Sequence, residues 1–408
     1  MLALTAVVVV VVMWFGVKWN FANALSTRAE FKEVAELAVS LAPSDPQTRF
    51  AAAAIFRKTF SIEDQDRSLA EYEQVATLAP HNFISWLELG NARERNGDSQ
   101  GAELALKKAL DLAPNYADVK WAYGNALVRA GKIDEGFSFI SSAATSNPLF
   151  CSPAVVAAME LFDGDIARVR EKIAETPAAN TALAAYLVRQ KRYDEALAIW
   201  GRVPAAAAAQ MKDGGSAVGA AFRKANQFRA AAKVFGDLYP PETERPDAGR
   251  IFDGGFESGV KLTGAPDFEW QIPAGAEPQI AISKTQKHGG ASSLLIAFNS
   301  TQASDFRSVG QLTSVDPGGV YEFEFYYRSD LKTTSTVRWE IVSPIDSTVI
   351  AVSEPVAPSS DWSAVKTKFT MPASLDGIVV RLVRNRCPST VCPINGSLWL
   401  DDVSIRKL

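Results

Sequence analysis

The sequence predicts a multidomain chain: an N-terminal transmembrane helix, an all-α solenoid and a C-terminal all-β sandwich. Three observations predict it. Residues 2–17 carry no charge and centre on Val8 to Val12. Pro46, Pro80, Pro114 and Pro148 follow one another at intervals of 34 residues. Beyond residue 248, Val, Thr, Ser, Phe and Tyr dominate and alternate with period two. A chain of 408 residues has room for two or three domains, and 22% charged residues argue against a largely disordered one. A net charge of −4 argues against a nucleic-acid protein, which would usually carry a basic face. The only histidines, His81 and His288, nearly exclude His-based zinc sites and Ser-His-Asp chemistry.

The first region, residues 1–24, reads as a membrane anchor or a signal segment. At about 1.5 Å per residue, residues 2–17 fall slightly short of a hydrocarbon core of about 30 Å. Trp19 and Phe21 extend the run as interfacial residues. No Lys or Arg precedes it, which favours a retained anchor. The alternative is a cleaved signal, because Ala22-Asn23-Ala24 fits the small-x-small pattern. Lys18, Arg28 and Lys32 favour a cytoplasmic body. Cys387 and Cys392 point the other way: with four residues between them they read as a loop disulfide, which needs an oxidising compartment. Two reduced thiols in a turn are the alternative. The expectation is a single-pass anchored chain with a periplasmic or extracytoplasmic body.

The second region spans 25–240. Leu78-Ala79-Pro80 and Leu112-Ala113-Pro114 repeat in context. Trp86, Leu89 and Gly90 open one unit; Trp121, Tyr123 and Gly124 open the next. Gly97 and Gly131 mark the turn between paired helices, and Ala109 and Ala143 pack the second helices. Residues 151–177 fit the repeat poorly and read as a shortened unit, and two looser pairs follow around Trp200 and Phe235. Period, Pro, Gly and small positions together make this region similar to the tetratricopeptide repeat family. The resemblance implies stacked helix pairs whose inner helices line a groove for a protein partner. Arg93 and Arg129 lie near inner-helix ends and could face that groove.

Residues 241–247 read as a linker, and 248–408 as a two-sheet antiparallel sandwich. In 321–327, Tyr321, Phe323, Phe325 and Tyr327 take one face; Glu322, Glu324 and Tyr326 take the other. Further strands are expected at 292–298, 337–341, 365–371, 378–383 and 397–405. Trp339 and Trp399 read as core. The region opens with Asp253-Gly254-Gly255-Phe256-Glu257, continues through Trp270 and His288-Gly289-Gly290, and closes with Leu398-Trp399-Leu400-Asp401-Asp402-Val403. This order resembles the jelly-roll carbohydrate-binding modules with galactose-binding-like topology. The resemblance implies a structural calcium joining the opening and closing strands. Its side chains would be Glu257 with Asp402 or Asp401, with backbone oxygens near His288 and Gly289. It also implies an aromatic platform with polar partners for a glycan. Phe306 matches the loop where relatives place that platform. Trp270 reads as exposed in the opening loop, and Gln311, Tyr326, Arg338 and Glu340 read as non-core surface.

No catalytic constellation is visible. Asp401 and Asp402 are neighbours on a strand and point to opposite faces. Gly214 to Gly219 lacks the phosphate-loop spacing and its Lys. The expected function is a non-enzymatic membrane-anchored adaptor in bacterial envelope or exopolysaccharide assembly or export, binding a protein through the repeats and a glycan through the sandwich. The alternatives are a purely structural protein scaffold and an accessory subunit of a separate glycan-active enzyme.

Overall fold

The computed structural model describes residues 2–59, 61–240, 243–302, 306–385, 387 and 391–408. The chain divides into two compact units, 1–179 and 180–408. Pro241 and Glu242 of the expected linker lie outside the described residues.

The first unit is helical. Its elements are α1 (Leu2–Ser26), α2 (Lys32–Leu41), α3 (Pro46–Arg57), α4 (Ile62–Leu78), α5 (Phe83–Arg95), α6 (Ser99–Leu112), α7 (Ala117–Arg129), α8 (Ile133–Ser146), α9 (Cys151–Leu161), α10 (Ile166–Lys172) and the start of α11 (Pro177–Arg189). Helices α3 and α4, α5 and α6, and α7 and α8 pack as pairs. Pro80, Pro114 and Pro148 each stand two residues past a helix end, where the missing amide costs nothing. Pro46 differs: it is the first residue of α3, pre-set for the helical φ, and Pro43 takes the post-helix place after α2. The Asp45, Asn82 and Asp98 side chains accept the first free amides of α3, α5 and α6. Between paired helices the chain turns through the left-handed region at Gly97 (φ 81°) and Gly131 (φ 80°). Asp98 N then donates to Arg93 O and Lys132 N to Leu127 O, both at 2.9 Å, closing each helix end. The core of each pair is lined with Ala, Leu and Tyr, with Ala102, Ala109 and Ala143 fully buried. Residues 151–172 do form a shortened pair.

The second unit begins with helices: the rest of α11, α12 (Tyr193–Trp200), α13 (Ala205–Ala208), α14 (Lys212–Lys224) and α15 (Phe228–Asp237). Ten strands follow: β1 (Gln279–Ser283), β2 (Ser293–Gln302), β3 (Gly310–Ser314), β4 (Val320–Asp330), β5 (Lys332–Thr333), β6 (Val337–Val342), β7 (Val349–Val352), β8 (Ser359–Thr370), β9 (Gly377–Arg384) and β10 (Val391–Lys407). One sheet runs β1-β2-β10-β4-β8, with β5 also on β10; the other runs β3-β9-β6-β7. All pairings are antiparallel. The alternation of β4 sends Tyr321, Phe323, Phe325 and Tyr327 inward, where Phe323 and Phe325 pack on Trp339 of β6. Trp399 is not core. It is half-buried on the outer side of β10, in register with Leu295 and Arg328, because the inward positions there belong to Leu398 and Leu400.

Helix α15 is part of the sandwich core. Phe228 is buried among the sheet residues, and Gly377 admits it: a Cβ at Gly377 would lie 2.6 Å from its ring. Asp376 accepts from the amides of Phe228 (3.3 Å) and Arg229 (3.0 Å), capping α15 from the sandwich side. The Phe235 and Phe268 rings meet at 5.7 Å, and Arg223 pairs with Asp267 at 2.7 Å.

Candidate functional site

The six glycan candidates separate into four environments. Two are internal. Trp270, expected to be exposed, is 3% exposed: it stacks on Phe256 at 5.1 Å, lies beside Trp339, and donates its indole N–H to Asp253 O. Its ring is worth more to the core than to water, and its one polar atom is satisfied there. Gln311, expected on the surface, is 1% exposed, with its Oε1 accepting from Phe252 N and its Nε2 donating to Phe252 O. It fastens the opening loop to β3. Phe306 is half-buried, stacks parallel to Phe298 at 6.3 Å, and packs against the core.

Arg338 and Glu340 lie on the outer face of the four-stranded sheet, joined by Arg381, which sequence reasoning missed. Arg381 sits opposite Glu340 in the β6–β9 register and donates to its Oε2 from Nε (3.2 Å) and Nη2 (2.9 Å). Arg338 Nη2 is 3.7 Å from Glu340 Oε1. Glu340 is therefore bracketed by two guanidinium groups, and Arg338 Nε is buried without a hydrogen-bond partner among the described residues. Only the cross-strand register reveals Arg381; no local motif marks it. Tyr326 lies elsewhere, on the outer face of the six-stranded sheet, with the His288 ring stacked on it at 3.8 Å.

The opening and closing motifs meet around Asp401. That carboxylate is fully buried, and burial raises its pKa against the amides of His288, Asp402 and Gly289 that it accepts. Glu257 accepts from the amides of Ala291 and Ser292, which hold its pKa down. Asp402 sits at a β-bulge with φ 46°, its Oδ2 2.6 Å from His288 Nδ1. A Cβ at Gly255 would come within 3.8 Å of Glu257 Cγ, Asp401 Oδ1 and Asp402 Oδ1, so the glycine sits between the opening motif and the closing one. Neither Glu257 nor Asp402 pairs with Lys or Arg among the described residues. Among those residues no three His, Cys, Asp or Glu groups converge as a ready-made cage. Glu257 and Asp402 offer hard carboxylate oxygens, the donor type that calcium takes. Asp401 accepts from three backbone amides, those of His288, Gly289 and Asp402, and so ties the His288 loop to β10. Cys387 and Cys392 are joined as a disulfide with their Cα atoms 5.6 Å apart, and Arg384 Nη2 donates to Cys392 O.

In the helical unit, α5 and α7 line a cavity of about 410 Å³ with Glu88, Asn91, Asp118, Trp121, Asn125 and Arg129. Arg129 pairs with Glu94 at 2.7 Å across the two helices. Arg93 is tied to Glu73 and Gly101 O and does not line it.

Comparison with known proteins agrees with this division. The tetratricopeptide repeat family matches residues 62–117 and 87–148, and a carbohydrate binding domain family matches residues 249–388. No curated protein matches the chain. Similar solved structures include one titled "CBM4 structure and function" (17% identity, 39% of this chain and 99% of that one, TM-score 0.29). MamA from Desulfovibrio magneticus RS-1 is another (14%, 46% and 93%, TM-score 0.31). A third is the C-terminal family 22 carbohydrate binding module of Clostridium thermocellum Xyn10B (15%, 39% and 94%, TM-score 0.26). The chain therefore joins tetratricopeptide repeats over 62–148 to a carbohydrate-binding domain over 249–388.

Proposed function

We propose that this chain is a non-enzymatic, membrane-anchored adaptor: its repeats bind a protein and its sandwich binds a glycan, in assembly or export of a bacterial envelope polysaccharide. The two matched domains are binding modules. The strand carboxylates that could suggest catalysis are engaged, Glu322 with Arg406 and Glu324 with Lys366. The anchor half draws on α1, the one helix among the described residues long and apolar enough to cross a membrane.

The observation that carries the glycan half is the Arg338–Glu340–Arg381 array. A sugar presents vicinal hydroxyls, each both donor and acceptor, and a carboxylate between two planar guanidinium forks offers complementary atoms at fixed spacing. The test is a glycan-array screen of the full chain in detergent. Arg338→Ala should weaken binding about tenfold or more, the loss of one charge-assisted hydrogen bond. A folded wild-type chain that binds no glycan would sink the reading.

Calcium belongs to the same reading. Held by Glu257 and Asp402, it would neutralise two acids and fasten the opening loop to β10. Saturating calcium should then raise the melting temperature of the chelator-treated chain by about 5–10 °C. Equal melting with calcium and with chelator would remove the metal from the account.

A second reading has one observation behind it: Phe228 of α15 sits in the sandwich core. A sandwich built onto the last helical hairpin could serve as a purely structural cap.

A further inference from the structure

Tyr326 and Arg338 lie on the outer faces of different sheets, so they cannot serve one site. Around Tyr326 the chain assembles a second set of ligand-competent groups. The His288 ring lies nearly parallel to Tyr326, 3.8 Å away and tilted 16°. Asp402 Oδ2, 2.6 Å from His288 Nδ1, holds it there. Trp362 adds a third ring, 5.7 Å from His288 and inclined at 54°. It lies where the β4–β8 register shifts between Tyr327 and Ser329. Arg328, on the same face as Tyr326, pairs with Asp361 at 3.1 Å, and the Ser360 and Ser363 hydroxyls meet at 2.9 Å. These rings lie outside the buried core that the sandwich needs.

We propose that this cluster is a second carbohydrate-contact site, separate from the Arg338–Glu340–Arg381 face. It takes one pyranose of a neutral glycan. The apolar face of the sugar packs on Trp362 and His288, while Arg328 and Asp361 bond its hydroxyls. A neutral glycan is assigned because Arg328 and Asp361 balance one another at the face of the cluster. The rings are few and framed by charged and hydroxyl groups, which suits a sugar better than an aliphatic protein face or a lipid surface. Two sites on opposite sheets make one sandwich bivalent, able to bridge two polysaccharide chains. The proposal rests on the reading that the sandwich binds glycan, but not on the Arg338 face.

The test is calorimetric titration of the full chain in detergent, with xylohexaose and β-1,4-galactotriose as probes. The wild type should bind one probe at two sites. Trp362→Ala should weaken one of them about tenfold and leave the other, and Arg338→Ala should do the reverse. Trp362→Phe keeps a ring and should retain binding. Asp361→Asn, on a side chain 85% exposed, should weaken the same site as Trp362→Ala without lowering the melting temperature. A single site abolished by Arg338→Ala and indifferent to Trp362→Ala and Asp361→Asn overturns the proposal and leaves the first site standing. Binding of neither probe overturns both.

Discussion

Asp253 lies buried beneath the opening loop, and burial lifts its carboxyl to about 6, against the pull of the Ser258 and Glu257 amides that it accepts. The sign follows from proton binding. A carboxyl whose folded pKa lies above its free value of 3.8 holds its proton more tightly when folded. It therefore favours folding most at low pH, and that contribution disappears as pH rises from about 3.8 through about 6. Asp253→Asn keeps an acceptor oxygen for both amides and removes the titration. In chelator, the variant should melt above the wild type at pH 7.5, by at most about 3 kcal/mol of stability, and the two should converge near pH 4. A variant less stable by the same amount at both values would show that the carboxylate is needed as an anion. Gln311 teaches the complementary lesson at this scale. Glutamine on a short strand reads as surface, yet its amide has both a donor and an acceptor, and Phe252 offers the matching pair 59 residues away. Nothing near Gln311 in sequence announces that partner.

Among the elements, α15 carries the clearest energetic consequence. Phe228 fills the space left by Gly377, and truncating a buried Phe costs about 3–5 kcal/mol. Phe228→Ala should lower the melting temperature of the β-sheet signal by about 10 °C, because the helix and the sheets share that core. Loss of helical signal alone, with the sheets melting as before, would show the hairpin and the sandwich to be independent. The same elements mark what the sequence could and could not announce. Long periodic strands such as β4 and β10 were legible because alternation survives over many residues. Strand β3 was not, because Gln311 and Thr313 point inward and break the apolar alternation. Strands β1 and β7 are edge strands of five and four residues, too short for a period. The helical pairs were legible where glycine marks the turn. In the later pairs Lys191 (φ 60°) and Asn226 (φ 59°) take the left-handed position of Gly97 and Gly131. The geometry persists after its sequence marker is gone, so those repeats looked looser than they are. The Arg338–Glu340 part of the candidate site was visible as alternation on one strand. Arg381 was not, because cross-strand register is set by the fold.

For the whole molecule the decisive question is whether the first helix stays attached. Helix α1 is not a free apolar rod. Its last turns carry Ala22, fully buried, and Ser26, 5% exposed, one turn apart on one face, and the helix packs on α2 and α3. Upstream, Val10, Val12, Trp14 and Phe15 are exposed, a surface that water disfavours and lipid accepts. One helix thus combines a lipid-compatible half with a half that belongs to the helical core. Cleavage after the Ala22-Asn23-Ala24 motif would remove a packed residue along with the apolar segment. The disulfide between Cys387 and Cys392 suits a body outside the reducing cytosol. Mass analysis of the protein from its native membrane should therefore find the chain beginning upstream of Ala22 and resisting alkaline extraction. Protease added to intact cells whose outer barrier is permeabilised should reach the sandwich. A mature chain that starts at Leu25 and washes free of the membrane would convert the anchor into a signal segment.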